Sequence, residues 1–162
     1  MKKSNVLFLT HAAMIAALYV VLTFLSNAFG LASGAIQIRI SEALTILPYF
    51  TPAAVPGLFV GCLLSNVLTG CALFDVLFGS LATLLGAIGT RILRKSKWLT
   101  PIPPIVSNMV IVPLVLTYVY DLPGGIPYLM LTVGIGEVIS CGVLGLSLLS
   151  VLSKYRTKLF PA

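Results

Sequence analysis

From Val6 to Phe29 the chain runs 24 residues without a formal charge, and from Ala43 to Phe74 it runs 32. A bilayer core takes about 20 apolar residues per helical crossing, so uncharged stretches of this length dictate membrane spans before any other feature counts. Composition agrees, with 59% hydrophobic residues, 9% charged residues and a mean hydropathy of +1.10. A water-soluble chain of 162 residues needs far more polar surface.

The windows divide into six helices. Val6–Phe29 is one span. The Ala43–Phe74 window is too long for one ordinary span and too short for two full ones, and Pro48, Pro52 and Pro56 break it. It reads as a short helix over 41–50 and a fuller one over 53–69. Asp75–Thr90 follows the small turn Thr69-Gly70-Cys71, then come Trp98–Tyr120 and Ile126–Ser153. Pro101-Ile-Pro-Pro104 and Leu122-Pro-Gly-Gly-Ile-Pro127 read as tight turns between spans. The expectation is one all-α domain over residues 1–162, an integral membrane protein with six transmembrane helices.

Charge sets the orientation. Nine of the ten Lys and Arg residues fall in three clusters: Lys2 and Lys3; Arg91, Arg94, Lys95 and Lys97; Lys154, Arg156 and Lys158. With four helices before the central cluster and two after it, all three clusters share a side, which the positive-inside rule makes cytoplasmic. Both termini are then cytoplasmic in a multi-pass protein of the plasma membrane. The net charge of +6 follows from clustering beside an anionic leaflet and implies no nucleic-acid partner. Lys2-Lys3 and the apolar run behind them read as a first span, being too long for the core of a cleaved signal peptide. Cys62, Cys71 and Cys141 read as small buried hydrophobes, and the single His11 has no metal-ligand partner, so neither metal nor cofactor is expected.

Away from water, each ionisable residue in a span is a functional candidate. These are Glu42, Asp75 and Glu137, with Asn66 and Asn108 as uncharged companions. At 1.5 Å per helical residue, Asn66 and Asp75 lie about 6 Å below the outer turn, Glu137 about 16 Å and Asn108 about 19 Å. The set occupies the outer half of the membrane, as a pocket opened outward would. Asn66 is equally read as a helix–helix hydrogen bond, and Glu42 as a partner of Arg39 that caps its helix. Glu137 has no cation at helical spacing on its own span, which singles it out as the main recognition carboxylate.

Small residues mark the close approaches. Ala12, Ala13, Ala16 and Ala17 form two overlapping small-xxx-small pairs on the first helix, and Gly57, Gly61 and Ser65, then Ala82, Gly86 and Thr90, repeat the pattern. The last two read as internal packing, while the alanines also suit a partner protein. No phosphate-cradling Gly-rich motif, zinc-protease motif or nucleophile elbow is present, so the chain carries no motor and no enzyme signature.

Between these features lies Ala35–Pro48, "AIQIRISEALTILP", where Gln37, Arg39 and Ser41 alternate with isoleucines. Taken with "HAAMIAALYVVLT", "IQIRISEALTILPYF", "PGLFVGCLLSN", "DVLFGSLATLLGA", "PIPPIVSNMVIV" and "VGIGEVISCGVLG", it resembles the QueT family over nearly the whole chain. These are the substrate-binding S components of energy-coupling factor transporters for queuosine precursors. The resemblance implies an S-component fold that captures substrate from outside and docks through the alanine motif on a transmembrane coupling subunit served by two cytoplasmic ATPases. It implies that the segment from Ala35 to Ser41 is an extended lid over the pocket, polar on one side. A 7-deazaguanine base, with an N–H and an NH₂ side by side, would meet a buried carboxylate, with Asn108 serving its remaining groups. Glu137, Asn108, Asp75, Glu42, Arg39 and Asn66 form the expected binding set. An S component for another small vitamin, or a stand-alone small-molecule facilitator, are the alternatives.

Overall fold

The structure, a computed structural model, describes residues 3–31 and 36–160, without the side chains of Lys3, Ser4 and Lys158. Lys2 and Ala35, the first residue of the expected lid, lie outside the described residues. Among the described residues every regular element is helical: α1 (Lys3–Ala28), a 3₁₀ helix (Ile40–Tyr49), α2 (Ala54–Leu68), α3 (Leu73–Ile92), α4 (Ile102–Tyr118), α5 (Gly125–Glu137), a π-helical segment (Val138–Leu144), α6 (Gly145–Lys154) and α7 (Arg156–Leu159). α5, the π segment and α6 run on as one 30-residue helix, and with α1 and α3 it makes three helices long and apolar enough to cross a membrane. α2 and α4 are apolar but shorter.

Three local outcomes differ from the sequence reading. The short helix is a 3₁₀ helix of ten residues. At ~2.0 Å rise per residue it reaches about 20 Å, where an α-helix of that length would reach about 15 Å. The last span is interrupted by π geometry directly after Glu137. Pro103 and Pro104 do not form a turn between spans but open α4, where proline's missing N–H costs nothing.

Neighbours in sequence pack as neighbours in space, α1 on α2, α2 on α3, α3 on α4 and α4 on α5, around the 3₁₀ helix, whose residues Ser41–Pro48 are all buried. Glycines set the spacing. A Cβ on Gly57 would sit 2.7 Å from the Ala12 carbonyl oxygen, and one on Gly61 would sit 2.8 Å from Tyr19 Cβ. A Cβ on Gly86 would meet Pro104 Cα at 2.6 Å. Both glycine runs read from sequence as internal packing do pack internally, against α1 and α4.

The polar and apolar residues are arranged inside out. Ser26, Ser41, Thr45, Ser65, Ser80, Thr83 and Thr90 are buried, while Leu9, Val21, Leu77, Val143 and Val151 point outward. That distribution suits lipid as solvent. The described basic residues other than Arg39 gather at one end. Arg91 donates to the Pro48 carbonyl at 3.0 Å, Phe50 stacks on Phe160 at 5.0 Å, and His11 meets the same Phe160 edge-on at 6.1 Å. The start of α1, the end of α3 and the C-terminal helix therefore share one end of the bundle. The ionisable residues within the fold lie towards the other.

Candidate functional site

The segment entering the 3₁₀ helix is tied to the end of α1. The Ile38 N–H donates to the Leu31 carbonyl at 2.9 Å, and the Ile40 N–H to Ser26 Oγ at 2.8 Å. Arg39 is extended, with φ −104° and ψ 106°. Gln37 and Arg39, two residues apart, face the same interior, as a strand-like period of two requires. The extended stretch is shorter than the sequence suggested. Ile40 and Ser41 already belong to the 3₁₀ helix, and Ser41, wholly buried, accepts a hydrogen bond from Thr23 at 2.9 Å. On the opposite wall the Gln37 carbonyl lies where a Cβ on Gly136 would fall, so the segment rests directly on α5.

Behind it, two acids from distant parts of the chain meet. Glu42 comes from the first turn of the 3₁₀ helix and is 2% exposed; Glu137 ends α5 and is 7% exposed. The Tyr19 hydroxyl donates to Glu42 Oε1, and the Asn108 side-chain amide donates to Oε2 at 3.5 Å. Glu137 Oε2 receives the Cys141 thiol at 3.2 Å, a weak donor. The ligating atoms of Glu42, Glu137 and Cys141 lie within 4.8 Å of one another. Among the described residues this is the group whose donor atoms stand close enough to hold a metal ion, with a donor set of two carboxylates and a thiol.

Helix irregularity delivers these groups. In the π segment Cys141 turns towards the 3₁₀ helix, receiving Thr45 Oγ1 at 3.4 Å and facing the Glu42 carbonyl at 3.5 Å. Long 3₁₀ runs and π insertions are uncommon, and both recur at functional sites. Their presence side by side leaves one buried side-chain polar atom without a partner among the described residues, Ser140 Oγ.

The site has two chambers that share Gln37 and Arg39. The deep one, about 20 Å³, is lined by Glu42, Thr83, Asn108 and Glu137. The outer one, about 260 Å³, carries Thr23, Asn27, Asn66 and Asp75, with Leu116 and Tyr120 as less polar walls. Asp75 Oδ2 accepts from the Tyr120 hydroxyl at 3.1 Å, and that hydroxyl accepts from the Ala72 N–H at 3.0 Å. Asn66 donates to the Asp75 carbonyl at 3.5 Å. Gly79 stands between the chambers, and a Cβ there would lie 3.1 Å from Asn66 Nδ2 and 3.3 Å from Asp75 Oδ1.

The six expected binding residues thus fall into two groups. Glu42, Asn108 and Glu137 line the deep chamber, Asn66 and Asp75 the outer one, and Arg39 reaches both. Of the four alanines, Ala12 and Ala16 are buried, lying against Gly57 and Gly61, while Ala13 and Ala17 are exposed. Sequence reasoning missed Tyr19, Thr83 and Cys141 as site residues. Tyr19 continues the Ala12, Ile15, Ala16 face, and a hydroxyl on a buried face must find an acceptor. Cys141, one turn beyond Glu137, was the other available signal. All three cysteines are free thiols, and Cys62 and Cys141 are buried.

Comparison with known proteins now bears on this geometry. The family described as QueT transporter matches over residues 9–154. A protein of Lactococcus lactis subsp. cremoris (strain MG1363) named "Queuosine precursor transporter QueT" is 37% identical over 84 residues. That alignment spans 52% of this chain and 49%, about half, of the relative. No solved structure matches the chain. With the family matching from the first turns of α1 to the end of α6, the chain belongs to the QueT transporter family.

Proposed function

We propose that the chain is the substrate-capture subunit of an energy-coupling factor importer and that it binds a queuosine precursor, a 7-deazaguanine base or nucleoside, from outside the cell. Glu42, Glu137 and Asn108, converging in one buried chamber behind the 37–39 segment, carry the reading. A ligand rich in N–H donors gains charge-assisted hydrogen bonds from such a group, and an anionic vitamin would meet repulsion. The name of the Lactococcus relative supports the same substrate class.

On this reading six helices cross the plasma membrane with the basic end in the cytoplasm. The site opens at the other end, beneath Gln37 and Arg39. The 37–39 segment acts as the inner edge of a lid, because the deep chamber closes under it. Ala13 and Ala17, exposed on the α1 flank, meet the coupling subunit, and two ATPases supply the driving force. Substrate capture, not covalent chemistry, is the chain's role.

Mass spectrometry of the small molecule that co-purifies with the full chain tests the substrate, and a 7-deazaguanine is expected. Uptake by cells with and without the coupling subunit and ATPases tests the assembly. Undiminished uptake without them would identify a stand-alone facilitator, and a different co-purified vitamin would replace the substrate.

A further inference from the structure

The two chambers differ more in size than in polarity. A water-sized group occupies at least ~10–15 Å³ of such a volume, so about 20 Å³ admits one small group and no ring. The outer chamber, at about 260 Å³, approaches the ~300 Å³ at which ligand pockets begin. A flat bicyclic base therefore belongs in the outer chamber, and only a slender arm reaches Glu42 and Glu137.

Charge says which arm. Three carboxylates, Glu42, Asp75 and Glu137, line the two chambers, against one guanidinium, that of Arg39. Tyr19 and Cys141 donate to Glu42 and Glu137 and Tyr120 to Asp75, while Cys71 also lines the outer chamber, so among the described residues no second cation stands there. Buried charge without a counter-charge is costly, so the pair Glu42 and Glu137 favours a cation. Glu42 already receives Tyr19 and Asn108, one on each oxygen, and Glu137 Oε2 receives the weak thiol of Cys141. A flat base edge needs both oxygens of one carboxylate free in a plane. An ammonium is nearly water-sized and offers three donors in a cone, which suits two carboxylates whose atoms lie within 4.8 Å.

We propose that the deep chamber formed by Glu42 and Glu137 is a primary-ammonium subsite, and that the ligand binds arm first with its ring in the outer chamber beside Asn66 and Asp75. The proposal rests on the 7-deazaguanine reading above and reassigns Glu137 from the base edge to the arm. The ammonium enters charged, so no proton or covalent bond is exchanged.

The test is titration calorimetry on the purified full chain with two ligands that share a ring: 7-aminomethyl-7-deazaguanine, cationic, and 7-cyano-7-deazaguanine, neutral. The native chain should bind the aminomethyl ligand at least about tenfold more tightly, the scale of a hydrogen bond to a charged group. Glu137→Gln should weaken that ligand by about tenfold or more and the nitrile by less than about threefold. Equal binding of both ligands by the native chain overturns the subsite, and this comparison decides even where Glu137→Gln does not fold. Equal weakening of both ligands by a folded Glu137→Gln returns Glu137 to the base edge and also overturns it. Binding of neither ligand defeats the 7-deazaguanine reading itself, and the subsite falls with it.

Discussion

The seam between α1 and α2 and the meeting of the 3₁₀ helix with the π segment are built on opposite plans. At the seam, regular helices approach through Ala12, Ala16, Gly57 and Gly61, and dispersion between close backbones holds them. At the second junction the backbone departs from α geometry twice, and the side chains that meet are Glu42, Thr45, Glu137 and Cys141. Small residues give a fit that tolerates nothing larger. The irregular junction gathers polar groups instead, the 3₁₀ helix bringing Glu42 and Thr45 and the π segment bringing Cys141 beside Glu137. Fold and recognition therefore respond to different mutations.

The largest effect expected is at the seam. Gly61→Val places its first carbon 2.8 Å from Tyr19 Cβ and 3.0 Å from the Ala16 backbone. Overpacking of this kind costs about 3 kcal/mol or more where backbone must move. Loss of folded protein in detergent, read by melting temperature and yield, is the expected result; a normal melting temperature would show that the seam yields.

The outer side of the same helix sharpens the contrast. Ala17 is exposed, so Ala17→Trp should leave ligand binding by the isolated chain within about twofold while abolishing uptake through the assembly. A parallel fall of both would place Ala17 in the interior packing.

Smaller effects belong to the second junction. Tyr19→Phe keeps the buried ring and removes one donor from Glu42, at a cost of about 1–3 kcal/mol. A lowered melting temperature with several-fold weaker binding is expected, and an unchanged protein would mean that Glu42 does not need that donor. Arg39→Ala is the mildest. It should raise the ligand dissociation rate a few-fold with little change in capture rate, measured by stopped flow, because contacts made in the closed state act on release. A release rate that does not change would make the 37–39 segment a fixed cap.

The sequence made the helices legible because uncharged windows and basic clusters are one-dimensional signals, and acids set in apolar stretches, as Glu42, Asp75 and Glu137 are, must be buried inside the bundle. Pairing was not legible. Nothing in the spacing of Glu42 and Glu137, 95 residues apart in the numbering, says that they meet, since the meeting depends on how the buried 3₁₀ helix packs against the end of α5 and the π segment. The alternation at Gln37 and Arg39 predicted their shared face correctly, but it also predicted an extended Ser41. There Ser26 takes the Ile40 N–H and Thr23 takes Ser41, starting the helix early. The four alanines look alike in sequence, and only the position of Gly57 and Gly61 separates the buried pair from the exposed one.

The central claim is that Glu42 and Glu137 act on one ligand group together. A double-mutant cycle with Glu42→Gln, Glu137→Gln and both, read as the affinity for 7-aminomethyl-7-deazaguanine, measures this directly. Independent sites add within about 0.3–0.5 kcal/mol. The account predicts that each single change weakens binding about tenfold and that the double change loses at least 1 kcal/mol less than the sum, since the first substitution already forfeits the shared contact. Additive losses, or affinity unchanged by either substitution in folded protein, would contradict it.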